Sequence, residues 1–398
     1  MARNAQPTLR DADLHRWRLV RDFRQRLHSV LGPVSGGHPS WSDAERRLLY
    51  ADYLSLFLFG LFNPVVRTMR ALCAASRLQR VQEEICTRPV SLGSFSEAQH
   101  LLDPALLERV FTDLAAEVHP PSAAAATLRL RHPWLAQDGT LWRALPRMSW
   151  ALYGAGRRDG QSRAVKLHLS LHVLEDKPVR ATVRRGRDCE RQVWKEHWQR
   201  GDAYLGDRAF GQDYRLLEQL TQQDCVYVLR LREQQCRFTV EEALPISAEA
   251  QAVGVVRQAW GRLGCKARYH SGRVRVVWVS AEGHDLMLVT NLPPEALPAE
   301  LVSLLYRRRW QIELFFRWIK CILGCRHWLA ESPEGVALQI YLALIAALLL
   351  QLYTGRRPTK RMMELIQFYL LGVASLEELT AGLQREWQRL DRKAQQKA

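Results

Sequence analysis

The sequence predicts an α/β protein in which a β-rich middle is framed by helical segments, and three observations predict it. Residues up to about 120 have helical periodicity and few strand signals. From Leu128 the pattern changes to strands, and between Val165 and Leu174 apolar and polar residues alternate strictly. After Pro298 the pattern is helical again to the end of the chain. This order is typical of an α/β core with helical additions on both sides.

The middle of the chain predicts a specific order of elements. Three strands come first, followed by helix, strand, helix and strand, at residues 128–137, 165–174, 178–185, 190–200, 203–206, 214–222 and 226–231. That is the order of a ribonuclease-H-like fold, in which three antiparallel strands are extended by strands reached through helical crossovers. Residues 233–298 interrupt it with a hairpin-like pattern, which indicates a mostly β insertion.

The predicted domain organisation therefore has five segments. They are a helical N-terminal DNA-binding domain (1–124), the first part of the ribonuclease-H-like core (125–232), the β insertion (233–298), the second part of the core (299–355) and a helical C-terminal region (356–398).

The charge of the chain indicates a polyanionic partner. Lys and Arg number 57 against 41 Asp and Glu, which gives a formal net charge of +16. Nucleic acid is the leading candidate, although charge alone fits a basic housekeeping protein about as well. The positive charge is spread along the chain, so we expect a folded surface to carry it.

Cysteines and apolar runs exclude other classes. The 8 cysteines lack the paired short spacings of a structural zinc site, so we interpret them as reduced core thiols. Cys321, Cys325 and His327 lie close in sequence, but a fourth metal ligand is not apparent. The N-terminus lacks the apolar core of a secretory signal, and the apolar run 340–350 is too short for a bilayer. We expect a buried helix in a soluble protein and no membrane partner.

The most informative segment, residues 299–323, predicts one amphipathic helix. At 100° per residue, one polar stripe holds a carboxylate together with four other functional side chains: Tyr306, Arg309, Glu313, Arg317 and Lys320. The opposite face is apolar and is expected to pack on the sheet. Taken alone, the stripe has an ordinary explanation as surface pairing worth about 0.3 to 0.5 kcal/mol per pair.

The spacing Tyr306-x2-Arg309-x3-Glu313-x6-Lys320, with two aspartates upstream, resembles a known signature. Asp138 lies in Gln-Asp-Gly-Thr and Asp207 in Gly-Asp-Arg-Ala-Phe-Gly, and together these motifs resemble the bacterial DDE transposases of the insertion-sequence-four family. Residues 290–292 and 91–111 also look like this family, so the resemblance covers most of the chain. One departure is Ala209, where many relatives have glycine.

The resemblance implies metal-dependent cleavage and rejoining of DNA. Phosphodiester chemistry of this kind uses two divalent ions about 3.5 to 4 Å apart. We expect Asp138, Asp207 and Glu313 to hold two Mg²⁺ ions, with Mn²⁺ as a substitute, because Mg²⁺ prefers oxygen ligands. Without the resemblance, Asp138 is more simply a turn residue and Asp207 a helix cap.

The resemblance also assigns DNA contacts. Tyr306, Arg309 and Lys320 are expected on the phosphates of the transposon end, and two more arginines are candidates for the same role, namely Arg208 and Arg317. Relatives form a DNA hairpin and flip a base onto an aromatic ring. Trp310 and Trp278 are candidates for that ring, although the strand-like surroundings of Trp278 favour ordinary core packing.

The predicted function is therefore cut-and-paste transposition of an insertion sequence in the bacterial cytoplasm, associated with the nucleoid. Expected partners are double-stranded DNA, as terminal inverted repeats and as target, and a second copy of the chain in a synaptic homodimer. The helical N-terminal region is expected to recognise the repeats and the C-terminal helices to dimerise.

Two alternatives stay open at this point. One is a domesticated or inactive relative that binds DNA without cutting it, which the presence of all three acids disfavours. The other is a carboxylate hydrolase such as a glycosidase, which would not require the cationic stripe.

Overall fold

The computed structural model describes residues 18–31, 50–119, 131–154, 162–265, 268–281, 284–325, 327–357 and 359–395. The chain divides into two compact units. Unit 1 comprises Met1–Pro121, Trp142–Ala164 and Phe316–Ala398, and unit 2 comprises Ser122–Leu141 and Val165–Phe315.

Unit 1 is mainly helical. Its helices are α1 (Arg18–Leu31), α2 (Tyr50–Phe62), α3 (Met69–Ala75), α4 (Gln79–Glu84), α5 (Leu92–Leu101), α6 (Ala105–Glu117), α13 (Pro333–Thr354), α14 (Lys360–Leu370) and α15 (Leu376–Gln395). Predicted helical residues 14–17 and 41–49 lie outside the described residues.

Helix α13 forms the centre of unit 1. It begins after Ser332, whose hydroxyl accepts a hydrogen bond from the Gly335 N–H at 3.0 Å, and it ends at Gly355 in the left-handed conformation with φ 71°. Within the described residues, α13 alone is long and apolar enough to cross a membrane, and it is mostly buried inside the protein. Such burial is typical of a core helix that is apolar on all sides.

Unit 2 contains most of a large mixed sheet. The strands of the chain are β1 (Trp134–Arg143), β2 (Leu152–Gly154), β3 (Ser162–His172), β4 (Lys177–Arg185), β5 (Ala203–Gly206), β6 (Val226–Arg230), β7 (Phe238–Leu244), β8 (Val255–Cys265), β9 (Arg268–Tyr269), β10 (Val274–Ala281) and β11 (His284–Thr290). The order is β2-β3-β1-β5-β6-β11-β10-β8-β7, with β4 on β3 and β9 on β8. The predicted α/β class is confirmed.

Helices alternate with these strands, as predicted. They are α7 (Glu190–Glu196), α8 (Arg208–Gly211), α9 (Tyr214–Gln222), α10 (Ala248–Ala252), α11 (Ala299–Arg308) and α12 (Gln311–Cys321). Strands β1, β5 and β6 run parallel, and β11 joins β6 antiparallel. Because of the β11–β6 pairing, the strands of residues 233–298 continue the same sheet.

Three expectations from the sequence need correction. First, Asp138 does not follow a strand, because β1 continues through it to Arg143. Secondly, residues 299–323 form two helices instead of one, with a break at Arg309 and Trp310. Thirdly, the cysteines are not all core residues, since three of the free thiols are exposed at Cys189, Cys265 and Cys321.

Candidate active site

Asp138 lies on β1, and Asp207 directly follows the neighbouring parallel strand β5 at the matching register position. Ala136 of β1 is paired with Leu205 of β5, and each aspartate comes two residues later in its strand direction. Neighbouring strands are about 4.8 Å apart, so the register brings the two carboxylates side by side. Asp207 also caps α8, because its Oδ1 accepts a hydrogen bond from the Ala209 N–H at 2.8 Å.

The electrostatics of Asp138 agree with this closeness. Its pKa is raised to about 7, chiefly by burial and also by the charges of Asp207 and Glu190. A hydrogen bond from the Gly139 N–H to Oδ1, at 2.7 Å, and the charge of Arg309 act in the opposite direction. The carboxyl group of Asp138 therefore has more negative than positive charge around it. Such an environment favours binding of a cation or protonation of the carboxyl group.

Sequence reasoning missed Glu190, the first residue of α7. A Cβ added to Gly139 would lie 2.8 Å from Glu190 Oε1, so the glutamate packs directly against the backbone next to Asp138. The same oxygen pairs with Lys166 Nζ at 3.2 Å. The sequence does contain one signal for such an acid. Lys166 is a lysine in the otherwise buried strand β3, and a buried positive charge needs an acidic partner.

Helix α7 is held in place by aromatic packing. Trp194 contacts Tyr204 of β5 and Phe210 of α8 edge to face, with ring centroids 5.3 and 4.6 Å apart. These contacts fix α7 on the strand and helix that flank Asp207. Glu190 is thereby kept at Gly139.

Arg309 interacts with both the helix glutamate Glu313 and the strand aspartate Asp138. Its Nη2 donates a hydrogen bond to Glu313 Oε1 at 2.8 Å, and its positive charge acts on Asp138. The guanidinium also lies 5.8 Å from the Tyr306 ring centroid. Burial raises the pKa of Tyr306, and the charges of Arg309 and Asp207 also act on it. Tyr306, Arg309 and the two aspartates therefore share one site in unit 2.

The break between α11 and α12 lies at this site. Arg309 N–H donates to the Tyr306 carbonyl at 3.1 Å, and Ile312 N–H donates to the Arg309 carbonyl at 3.2 Å. Such three-residue bonds tighten the chain relative to an α-helix. The angles calculated for a continuous helix do not hold across the break, although the Arg309–Glu313 pair is preserved.

The other predicted DNA-binding residues are distributed over several elements. Arg208 is the first residue of α8 and is exposed, as is Arg317. Trp310 is 50% exposed at the helix break. In unit 1, Lys320 Nζ lies 4.5 Å from the Trp142 ring centroid.

Trp278 occupies the insertion part of the sheet. Its ring is partly buried, with Arg257 4.7 Å from the ring centroid and the Phe238 ring edge-on at 5.6 Å. One of its ring faces is thus covered by a guanidinium.

Carboxylate oxygens are the type of ligand that a hard cation prefers. No group of three or more His, Cys, Asp and Glu side chains in the described part of the chain is arranged to hold a metal ion. Asp138 and Asp207 are adjacent, and Glu313 faces Arg309. Oxygen donors and an excess of negative charge around Asp138 nevertheless fit Mg²⁺ or Mn²⁺, so the residues present are compatible with such an ion.

Comparison with known sequences assigns the family. Residues 130–349 match the family described as "Transposase DDE domain", and this is more than half of the chain. The chain belongs to this DDE transposase domain family. The matched segment includes Asp138, Asp207 and Glu313, and use of a divalent metal is implied by the family.

Individual relatives are named as transposases. The chain is 26% identical over 230 residues to the "Putative transposase y4zB" of Sinorhizobium fredii, covering 57% of this chain and 63% of that protein. It is 27% identical over 206 residues to the "Probable transposase for insertion sequence element IS5377" of Geobacillus stearothermophilus, covering 52% of each. The alignments thus span between half and two thirds of these relatives.

A solved structure was also matched, that of a piggyBac transposase synaptic complex with hairpin DNA. The match covers 93% of this chain and 79% of the other, with 10% sequence identity and a TM-score of 0.43. A score of this size does not establish a common fold, so the sequence match carries the family assignment.

Proposed function

We propose that this chain is the transposase of an insertion sequence of the insertion-sequence-four type, which excises and inserts DNA by cut-and-paste with a hairpin at the transposon end. The observation that carries the proposal is the shared register of Asp138 and Asp207, with Arg309 acting on Asp138 while it donates a hydrogen bond to Glu313. These residues lie within the family-matched segment. The Tyr-Arg-Glu-Lys spacing, with Tyr306 at the same site, supports the finer assignment.

The sheet order supports a ribonuclease-H-like core. Strands β4, β3, β1, β5 and β6 lie next to one another in that order, and the last three are parallel. This is the arrangement expected when three strands are extended through helical crossovers. In this core Asp138 lies within β1, and Asp207 directly follows the neighbouring strand β5.

The chemistry follows from the carboxylates. Asp138, Asp207 and Glu313 would hold two Mg²⁺ ions, which supply an activated water or hydroxyl nucleophile and a stabilised leaving oxygen. Arg309 has two roles, since it fixes the direction of Glu313 and offers its remaining donors to a DNA phosphate. Tyr306, packed beside Arg309, would orient the same phosphate through its hydroxyl.

DNA binding away from the carboxylates is proposed to involve both ends of the chain. The net charge of +16 favours a polyanion, and Arg208, Arg317 and Lys320 are proposed as phosphate contacts. We assign the N-terminal helical segment, 1–124, to the terminal repeats and the C-terminal segment, 356–398, to a homodimer. Trp310, half exposed at the helix break, is the better placed candidate for stacking on a flipped base.

A nicking assay tests the proposal. The substrate is a labelled duplex carrying the inverted repeats that flank the gene, incubated with Mg²⁺ or Mn²⁺. We expect Asp138→Asn, Asp207→Asn and Glu313→Gln to bind the duplex but to lose at least about 10³-fold in nicking, because metal stabilisation is worth several kcal/mol. The matched control is Asp224→Asn, an exposed acid in a left-handed turn that asparagine tolerates.

Two results would contradict the proposal. One is wild-type protein that binds the repeats and does not nick them with either metal. The other is a set of three carboxamide variants that nick as fast as Asp224→Asn.

A further inference from the structure

Unit 2 contains a large basic cleft that the proposed chemistry does not use. The cleft has a volume of about 910 Å³ and is lined by parts of α8, α9 and the insertion strands. Four arginines line it, namely Arg191, Arg215, Arg232 and Arg237. A concentration of guanidinium groups in a concave surface raises the local concentration of anions.

The acidic residues of the cleft compensate only half of this positive charge. Asp213 accepts a hydrogen bond from Arg191 Nη1 at 3.0 Å and caps α9 through its other oxygen. Glu218 accepts a hydrogen bond from the Ser271 N–H. The lining therefore contains four guanidinium groups against two carboxylates, and both carboxylates already have donors.

An aromatic ring is also exposed in the cleft. Tyr269, in β9, is 62% exposed and lines the cleft near Gly264 and Cys265. Because so much of the ring is exposed, Tyr269 does not serve to fill the hydrophobic core. Cationic side chains combined with an accessible aromatic face are the features that bind a nucleic-acid strand, whose phosphates pair with arginine and whose bases stack on the ring.

The cleft is connected to the carboxylate site through two short segments. Helix α8 begins directly after Asp207 and ends at Gly211, which lines the cleft. A Cβ at Gly211 would lie 2.1 Å from the Arg230 carbonyl oxygen, so this segment is held tightly on β6. Arg191 follows Glu190, the residue that packs beside Asp138. A DNA strand leaving the carboxylates therefore has a short path into the cleft.

We propose that this cleft binds a single DNA strand, with its arginines on the phosphates and Tyr269 against a base. A single strand is the ligand because a stacked duplex does not offer a base face to the tyrosine ring. The inference rests on the proposed function only in taking DNA as the ligand.

Binding of a fluorescent 12-nucleotide oligothymidylate, measured by anisotropy against salt concentration, tests the proposal. The double variant Arg215→Gln/Arg237→Gln removes two exposed cleft arginines. We expect the slope of log affinity against log salt to become shallower by about 1.4, since each lost phosphate contact on a single strand contributes about 0.7. The matched control, Arg200→Gln/Arg262→Gln, removes two exposed arginines that do not line the cleft and is expected to keep the wild-type slope.

The aromatic contact is tested separately. Tyr269→Ala is expected to weaken oligonucleotide binding by about 5- to 150-fold, the equivalent of about 1 to 3 kcal/mol of stacking, whereas Tyr269→Phe stays within about twofold of wild type. In the wild-type protein the oligonucleotide should also slow alkylation of Cys265, a thiol that lines the cleft. That protection should disappear in Arg215→Gln/Arg237→Gln.

The proposal is overturned if both double variants show the same slope, if Tyr269→Ala binds like Tyr269→Phe, or if the oligonucleotide leaves Cys265 alkylation unchanged. Failure of the proposed function looks different. In that case the repeats are not nicked with Mg²⁺ or Mn²⁺, while the cleft variants still separate from their controls in oligonucleotide binding.

Discussion

Arg275 offers a demanding test of how unit 2 is stabilised. It is fully buried in β10 at 0% exposure, and burial lowers its pKa to about 10. Its Nη2 donates to Gln258 Oε1 at 2.7 Å, and its Nη1 donates to the Leu297 carbonyl oxygen at 2.6 Å. Leu297 directly precedes Pro298, the N-terminal cap of α11. Arg275 thus ties the insertion strands to the helix that carries Tyr306.

The cost of Arg275→Met follows from the groups that it leaves behind. Methionine fills much of the same volume but donates no hydrogen bond, so two buried acceptors lose their partner. An orphaned buried acceptor costs about 1 to 3 kcal/mol. Relief from burying the guanidinium offsets part of this sum, and we expect a net loss of about 2 to 4 kcal/mol. For a unit of this size, that is a fall of about 4 to 16 °C in Tm.

The assay is thermal and urea unfolding of wild type, Arg275→Met, Gln258→Leu and the double variant. Each single change leaves the other partner unsatisfied. The stability lost by the double variant is therefore expected to be smaller, by about 1 to 3 kcal/mol, than the sum of the losses of the two single variants. A loss below about 1 kcal/mol for Arg275→Met, or strict additivity in the cycle, would refute the reasoning.

Three further predictions concern the surroundings of the site. Gly211→Ala places a Cβ 2.1 Å from the Arg230 carbonyl oxygen, so we expect about 3 kcal/mol less stability in urea unfolding, and wild-type stability would contradict the close approach. Burial, followed by neighbouring positive charge, lowers the pKa of His197 to about 4, so stability should fall as pH decreases from about 6.5 towards 4, by about 2 kcal/mol at pH 5. His197→Gln should flatten that pH profile. Lys166→Met leaves Glu190 without its cation and should lower the free energy of unfolding by about 1 to 3 kcal/mol. The double variant Lys166→Met/Glu190→Gln should recover part of this loss. A double variant less stable than Lys166→Met would argue against the ion pair.

The sign of the His197 prediction follows from the unfolded reference. The imidazole is neutral in both states above about pH 6.5, and below that the unfolded chain takes up the proton first. Unfolding is favoured progressively until the folded pKa is reached. Hydrogen bonding of His197 Nε2 to the Thr182 hydroxyl, at 2.7 Å, is consistent with a neutral ring in the folded protein.

Features that depend on local pattern could be predicted from the sequence. The strands around Tyr204 and Tyr227 are short apolar runs bounded by turn residues, and they lie where the pattern puts them, at Ala203–Gly206 and Val226–Arg230. The parallel register then brings Asp138 and Asp207 together. Sequence order predicted this meeting because strands reached through crossovers run parallel to their neighbours.

Features that depend on contacts distant in sequence could not be predicted. Nothing local marks Arg309 and Trp310 as a break between helices, since neither proline nor glycine is present there. In the sequence pattern, Glu190 cannot be distinguished from an ordinary acidic residue in the first turn of a helix. Its place beside Asp138 depends on α7 packing through Trp194 onto a strand and a helix that come later in the chain.

The arrangement of charges explains why the site is costly for the fold and suited to its chemistry. Burial, together with the like charges of Asp207 and Glu190, raises the pKa of Asp138 to about 7. Arg309 neutralises part of this charge while it holds Glu313. A bound divalent cation would neutralise more of it, and Glu313 would then have two competing cationic partners. If Glu313 holds the metal as proposed, metal binding and the release of Arg309 towards a DNA phosphate would be coupled through Glu313, and each would favour the other.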